Sequence, residues 1–211
     1  GNPDPSLLKT LDFDYIQPEQ LTAYELGYKG LIADKLLLDV NYYYNTYKNF
    51  ITQIDVVSKE ASEYLPANTA FRPYVNVDED ITSTGFGIGM SYKLPKGFVL
   101  GGNYSYADFK LDTETDFEPG FNTPKDRFNL SFSNREVVKN LGFNIGFKWQ
   151  DEFFWENSFG SSMMPAYSSL DAQVSYKVKS IKTVFKLGGS NIGGKDYRSS
   201  KGAPFIGSLY Y

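Results

Sequence analysis

The sequence predicts an all-β chain of antiparallel strands, and three observations carry the prediction. Apolar and polar residues alternate with period two through one segment after another, which places them on opposite faces of a strand. No stretch shows the period of an amphipathic helix. The connections alternate between tight turns and long polar loops, as strands running up and down a sheet require.

Residues 1–19 read as a loop, because Gly1-Asn2-Pro3-Asp4-Pro5 is a run of turn formers. A first strand follows at about Leu21 to Gly30. In the second, Leu36, Leu38, Val40, Tyr42 and Tyr44 alternate with Leu37, Asp39, Asn41, Tyr43 and Asn45. Phe86, Ile88, Met90 and Tyr92 then oppose Gly85, Gly87, Gly89, Ser91 and Lys93, and Leu100, Tyr104 and Tyr106 oppose Gly101, Asn103 and Ser105. Phe128, Leu130 and Phe132 face away from Arg127, Asn129, Ser131 and Ser133. The clearest pattern sets Leu141, Phe143, Ile145, Phe147 and Trp149 against Gly142, Asn144, Gly146, Lys148 and Gln150. Leu170, Ala172, Val174, Tyr176 and Val178 oppose Asp171, Gln173, Ser175 and Lys177, and a last strand is expected at about Phe205 to Tyr211.

Leu31 to Asp34, Pro95 to Gly97, Val137 to Asn140 and Lys179 to Ile181 read as tight turns. Between them lie long polar loops, at about Val56 to Glu79, Asp112 to Lys125, Glu156 to Ala166 and Gly193 to Ala203. Alternating strands of roughly ten residues, with short turns at one end and long loops at the other, mark a transmembrane β-barrel of the outer-membrane type, with periplasmic turns and extracellular loops. The apolar faces end in rings, such as Tyr42 and Tyr44 or Phe147 and Trp149, as expected at a bilayer interface. The opposite faces are rich in Gly, Asn and Ser, as suits a wet lumen. Soluble sandwiches and lipocalin-like barrels also alternate, and stay open on pattern alone.

About nine strands are expected, whereas bacterial single-chain barrels have an even number. The first and ninth strands would both run inward, so the chain is expected to be the carboxyl-terminal portion of a larger barrel whose other strands precede Gly1. No signal peptide is visible, which suits either an interior piece of a longer chain or a cytoplasmic protein.

Composition removes several function classes. Hydrophobic residues make up 41% and mean hydropathy is -0.38, with no apolar run near the roughly 20 residues of a spanning helix. There is no cysteine and no histidine, so disulfides, thiolate sites, His-ligated metals and Ser-His-Asp machinery are excluded from this chain. The net charge of -4 argues against nucleic-acid binding. No cofactor is expected.

Two groups of residues carry a family resemblance. Ile16-Gln17-Pro18-Glu19-Gln20 followed by Tyr24-Glu25-Leu26-Gly27-Tyr28-Lys29-Gly30 resembles the PEQ-x-x-x-YE-x-GYK segment of TonB-dependent outer-membrane receptors, and Gly1-Asn2-Pro3 is similar to the GNP before it. Trp149-Gln150-Asp151, Leu170-Asp171, Asn191-Ile192-Gly193-Gly194-Lys195-Asp196-Tyr197-Arg198, Gly202-Ala203-Pro204 and Ile206-Gly207 resemble the closing strands of the same receptors. The match is closest to their carboxypeptidase-regulatory-like, SusC/RagA-related branch.

The resemblance implies a barrel of roughly 22 strands with a plugged lumen, importing a scarce nutrient, whether siderophore, cobalamin, glycan or peptide, with energy delivered through TonB. It implies as partners outer-membrane lipid, the chain's own plug and further strands, TonB through that plug, and in this branch a surface lipoprotein lid. Neither plug nor TonB box lies within these residues. Receptors of this kind end in a Gly-x-x-aromatic-x-aromatic pattern; Gly207 and Tyr210 suggest a terminus a few residues beyond Tyr211.

The residues expected to contact ligand are Tyr47 and Asn49 on the lumenal side of the second strand, and Arg72, Tyr74, Trp155 and Arg198 in loops. Each has a competing role in loop packing. Glu19 with Glu25 could bind a cation but reads as a lumenal carboxylate pair meeting plug arginines or water, and the Asp78-Glu79-Asp80 run and Asp112 to Glu118, which lack the regular ligand spacing and Gly of a calcium loop, read as solvated loops. The glycines of Gly85-Phe86-Gly87-Ile88-Gly89 recur at period two on one strand face and are no phosphate loop. The alternative functions are a passive porin, an adhesin-like structural barrel, and an outer-membrane barrel enzyme, which would lack the usual histidine base.

Overall fold

The computed structural model describes residues 14–58, 66–77, 80–111, 120–157 and 160–211. The strands in chain order are β1 (Gln20–Ile32), β2 (Leu36–Lys48), β3 (Phe50–Gln53), β4 (Val56–Val57), β5 (Ala70–Phe71), β6 (Tyr74–Val77), β7 (Ile81–Lys93) and β8 (Phe98–Leu111). They continue as β9 (Asp126–Val138), β10 (Leu141–Gln150), β11 (Phe153–Trp155), β12 (Ser162–Met164), β13 (Tyr167–Val178), β14 (Thr183–Ser190) and β15 (Leu209–Tyr210). Nine of them form one sheet in the order β1-β2-β7-β8-β9-β10-β13-β14-β15, with β1 and β15 at its open edges. The expected count of about nine antiparallel strands holds. By internal packing the chain divides into two compact units.

The larger unit takes Tyr24–Tyr44, Ser83–Asp108 and Phe121–Tyr211. Register sorts its faces. Across β8, β9 and β10, Tyr104 stands opposite Phe128 and Phe128 opposite Trp149, while Leu100, Phe132 and Ile145 form a parallel row. That row continues into Ala172 of β13 and Gly189 of β14. One residue over, Asn103, Asn129, Lys148 and Ser169 line up on the other face. The period-two pattern has therefore become one apolar and one polar surface.

The apolar surface is exposed, with Leu130 at 47%, Ile145 at 42% and Val174 at 47% accessibility. A contiguous apolar face of this extent requires a nonaqueous neighbour. Rings flank it at both ends. Toward the loops Phe128 packs on Trp149 with centroids 5.5 Å apart, and Phe86 stacks on Tyr106 at 5.5 Å. Toward the turns Phe98 stacks on Phe132 at 5.5 Å and leans on Phe143 at 6.2 Å. Sequence reasoning anticipated only the loop-end rings; two girdles are what a membrane-spanning wall presents.

The glycines of β7 face Asp39, Asn41 and Tyr43, so they open space beside the polar side chains of β2. Turn chemistry closes the hairpins. Ala33 and Asp34 both have positive φ, 50° and 54°, and Lys35 N–H donates to Ile32 C=O at 3.1 Å, a two-residue loop of the kind whose twist matches its strands.

The smaller unit takes Gly1–Ala23, Asn45–Thr82 and Phe109–Gly120. The stretch Val56 to Glu79, expected as irregular loop, contains ordered ladders, and this corrects that expectation. β3 pairs with β6, Phe50 opposite Val77, and β4 pairs with β5. Val77 and the fully buried Ile81 form a small core, packed by Tyr47, Phe50, Ile54, Phe109 and Leu111. Two further expectations are amended in the larger unit. The Glu156 to Ala166 loop contains β12, paired to β11, and the last strand shrinks to Leu209–Tyr210 with a single bridge between Tyr197 and Ile206. Just before that strand the Ser208 hydroxyl donates to Asn191 C=O.

Candidate functional site

At the loop end of the larger unit, the start of β13, the β12 segment and residues 194–205 line an open cavity of about 760 Å³. Asn191 anchors the covering segment. It is 1% exposed and has φ of 51°; its N–H donates to Asp171 Oδ1 at 2.8 Å and its Nδ2 to Lys195 C=O at 3.2 Å. Asp171 projects from the polar face of β13, so the segment is fastened over the lumenal side of the sheet.

Fastened there, Tyr197 stacks on Tyr167 with centroids 3.9 Å apart and an interplanar angle of 12°. Lys148 Nζ lies 5.7 Å from the Tyr197 ring, and the Arg198 guanidinium lies 3.8 Å from that of Phe205. Lys201 Nζ donates to Ser161 C=O at 2.7 Å. Lys195, Arg198 and Lys201 all line the cavity, against one carboxylate among the described residues, Asp196. Met163, Met164 and Phe205 supply apolar wall. Stacked rings and a surplus of cations suit an anionic ligand with a flat or apolar body.

Of the expected ligand-contact residues, only Arg198 lies in this cavity. Trp155 sits in β11, edge-on to Phe153 at 6.2 Å, with its buried Nε1 lacking a hydrogen-bond acceptor among the described residues. The other four belong to the smaller unit. Tyr47 packs against the Val77 and Ile81 core and is edge-on to Phe50 at 6.0 Å. Asn49 turns the chain with φ of 52°, and its C=O accepts from Asn76 Nδ2 at 2.7 Å. Arg72 forms a two-point ion pair with Asp55, and Tyr74 of β6 is 58% exposed.

The carboxylates weighed as cation sites divide. Glu19 accepts from Ile51 N–H at 3.1 Å, tying the entry of β1 to β3. Asp78, Glu79 and Asp112 to Glu118 lie outside the described residues, as does Gly1-Asn2-Pro3. Sequence reasoning missed Tyr167, Tyr197, Phe205, Lys195 and Lys201. The three cations within Lys195 to Lys201 were a usable signal; the pairing of Tyr167 with a residue 30 positions away had none.

An open antiparallel sheet with one lipid-suited face, two ring girdles, tight turns at one end and elaborated loops at the other is a section of an outer-membrane β-barrel wall. The family model for the TonB dependent receptor-like β-barrel matches residues 2–192, and the chain belongs to that family. Its place is the bacterial outer membrane. No curated protein matches the chain.

Solved structures similar to it include the siderophore receptor PiuA from Acinetobacter baumannii, 19% identical with a TM-score of 0.64, covering 99% of this chain and 31% of that one. The ferric-catecholate import receptor Fiu from E. coli K12 is 16% identical with a TM-score of 0.64, covering 93% and 28%. The FrpB iron transporter from Neisseria meningitidis is 15% identical with a TM-score of 0.66, covering 92% and 30%. The chain thus spans less than a third of each of these proteins.

Proposed function

We propose that this chain is part of the wall and outer surface of a receptor that binds a scarce nutrient outside the cell and imports it with energy delivered through TonB. The plug, the TonB contact, the remaining strands and the lipoprotein lid of the SusC/RagA-related branch belong to the same proposal. One observation carries it: the cavity beneath Tyr197 opens at the loop end, lined by Lys195, Arg198 and Lys201 around stacked rings. Among siderophore, cobalamin, glycan and peptide, that lining favours an anionic metal chelate of the siderophore class. The iron and siderophore receptors that the chain resembles support the same choice.

The test is a titration of the full-length receptor with a ferric tris-catecholate chelate, followed by tryptophan fluorescence. Saturable binding is expected, weakened about tenfold in Tyr197→Ala/Arg198→Ala, the loss of roughly 1.4 kcal/mol that one charged contact supplies. Unchanged affinity in a variant that still migrates as a folded barrel would reject this cavity as the site.

A further inference from the structure

Although the chain as a whole carries a net charge of -4, its tight-turn end is basic. The β1–β2 turn carries Asp34 and Lys35, and the β7–β8 turn carries Lys93 and Lys96. The β9–β10 turn carries Arg135, Glu136 and Lys139, and the β13–β14 turn carries Lys177, Lys179 and Lys182. That is eight cations to two carboxylates, and all eight cations are exposed. The ion pairs among the described residues are Lys29–Asp39, Arg72–Asp55 and Lys125–Asp108, and none of them takes one of these eight cations. Glu136 is moreover engaged in its own turn, accepting from Asn140 N–H at 3.0 Å.

The four turns are also fastened to one another. Lys93 N–H donates to Lys35 C=O at 2.9 Å, Asn134 Nδ2 to Lys96 C=O at 2.9 Å, and Lys177 N–H to Asn140 C=O at 2.9 Å. Successive hairpins are two strands apart, roughly 10 Å, close to the Debye length at physiological salt. The cations therefore form one array on an ordered backbone, with reinforcing potentials. Branched aliphatics stand exposed beside them: Leu31 at 54%, Val138 at 59% and Ile181 at 59%. Apolar stems below and cations above are the arrangement that seats a chain at a lipid headgroup layer.

We propose that this rim binds the anionic phospholipid headgroups of the inner leaflet, fixing the depth of the wall from the periplasmic side. The assignment of the leaflet rests on the orientation of the family barrel, short turns inward. Charge complementarity selects the occupant, since a zwitterionic headgroup offers this surplus of six positive charges no net attraction.

The experiment is native mass spectrometry of the full-length receptor, in detergent, with equimolar dioleoyl phosphatidylglycerol and dioleoyl phosphatidylcholine. Retention of phosphatidylglycerol is expected to exceed that of phosphatidylcholine by at least about fivefold, the weight of one cation near an anionic surface. The preference should fall toward unity in 0.5 M salt and in Lys96→Gln/Lys139→Gln/Lys179→Gln/Lys182→Gln, and survive in the loop-end control Lys110→Gln/Lys125→Gln. Equal retention of the two lipids, or a preference lost in the control and kept in the turn variant, would overturn the proposal. Chelate binding measured on the same samples keeps the two readings apart, because it reports on the opposite end of the wall.

Discussion

Asn134 Nδ2 donates to the Lys96 carbonyl at 2.9 Å, joining the turn after β7 to the strand beyond it. The same side chain, 2% exposed, accepts from Glu136 N–H at 2.8 Å through Oδ1. Here the β9–β10 register shifts, so that Leu141 faces Val138 while Phe143 faces Asn134. A Cβ at Gly142 would strike the Arg135 carbonyl. Asn134 thus satisfies the Glu136 N–H beside the bulge and the Lys96 carbonyl of the neighbouring turn. Asn134→Ala should destabilise the folded receptor by about 1–3 kcal/mol, the cost of leaving buried polar groups unpaired. Urea unfolding followed by gel mobility checks this; a change below about 0.5 kcal/mol, the ordinary surface value, would refute it.

The first hairpin predicts a gain. Ala33 occupies the left-handed region with φ of 50°, where a β-carbon crowds the following carbonyl. Two-residue loops of this type prefer Asn-Gly. Ala33→Asn should therefore stabilise by about 1 kcal/mol, and Ala33→Val should do the reverse. The two unfolding midpoints, measured side by side, must separate in that order.

A third prediction concerns LLLDVNYYYNTYKNF. Tyr43 and Asn41 face the glycines of β7, whereas Tyr42 approaches Thr84 through its hydroxyl at 3.3 Å, so the pleat divides the tyrosines into two sets. Val40→Lys places an ammonium on the lipid side and should cost about 2–4 kcal/mol near the bilayer middle. Asn41→Lys, beside Gly87, should be tolerated. Folding yield into lipid vesicles reads the difference; equal yields would sink the assignment of faces.

The division of faces was legible because period two is a local property: Phe143, Ile145 and Phe147 show it against Asn144 and Gly146 without reference to any partner. The family was legible in the same way, through short contiguous segments such as Tyr24 to Gly30. Long-range consequences were not. The Val77 and Ile81 core recruits Tyr47 from β2 and Phe50 from β3, so Tyr47, expected at the ligand, also packs against that core. Asn49 reads as a lumenal amide, yet its positive φ makes it the bend between β2 and β3. The cavity depends on Asn191 meeting Asp171, 20 residues earlier, which nothing in either neighbourhood announces.

Arg72 and Arg198 provide the sharpest contrast, because both stood as ligand contacts and the structure treats them differently. Arg72 Nη2 donates to Asp55 Oδ2 at 2.9 Å alongside the Nε contact to Oδ1, so both carboxylate oxygens are engaged. Its partner is 71% exposed, which puts the pair among surface ion pairs worth at most about 1 kcal/mol. Arg198 instead lies on the ring of Phe205 and lines the cavity. Arg72→Ala should therefore leave affinity for a ferric tris-catecholate within about twofold, whereas Arg198→Ala should weaken it several-fold and Arg198→Lys recover only part, since an ammonium stacks less well on the ring. A larger loss from Arg72→Ala than from Arg198→Ala would move the binding surface to the smaller unit.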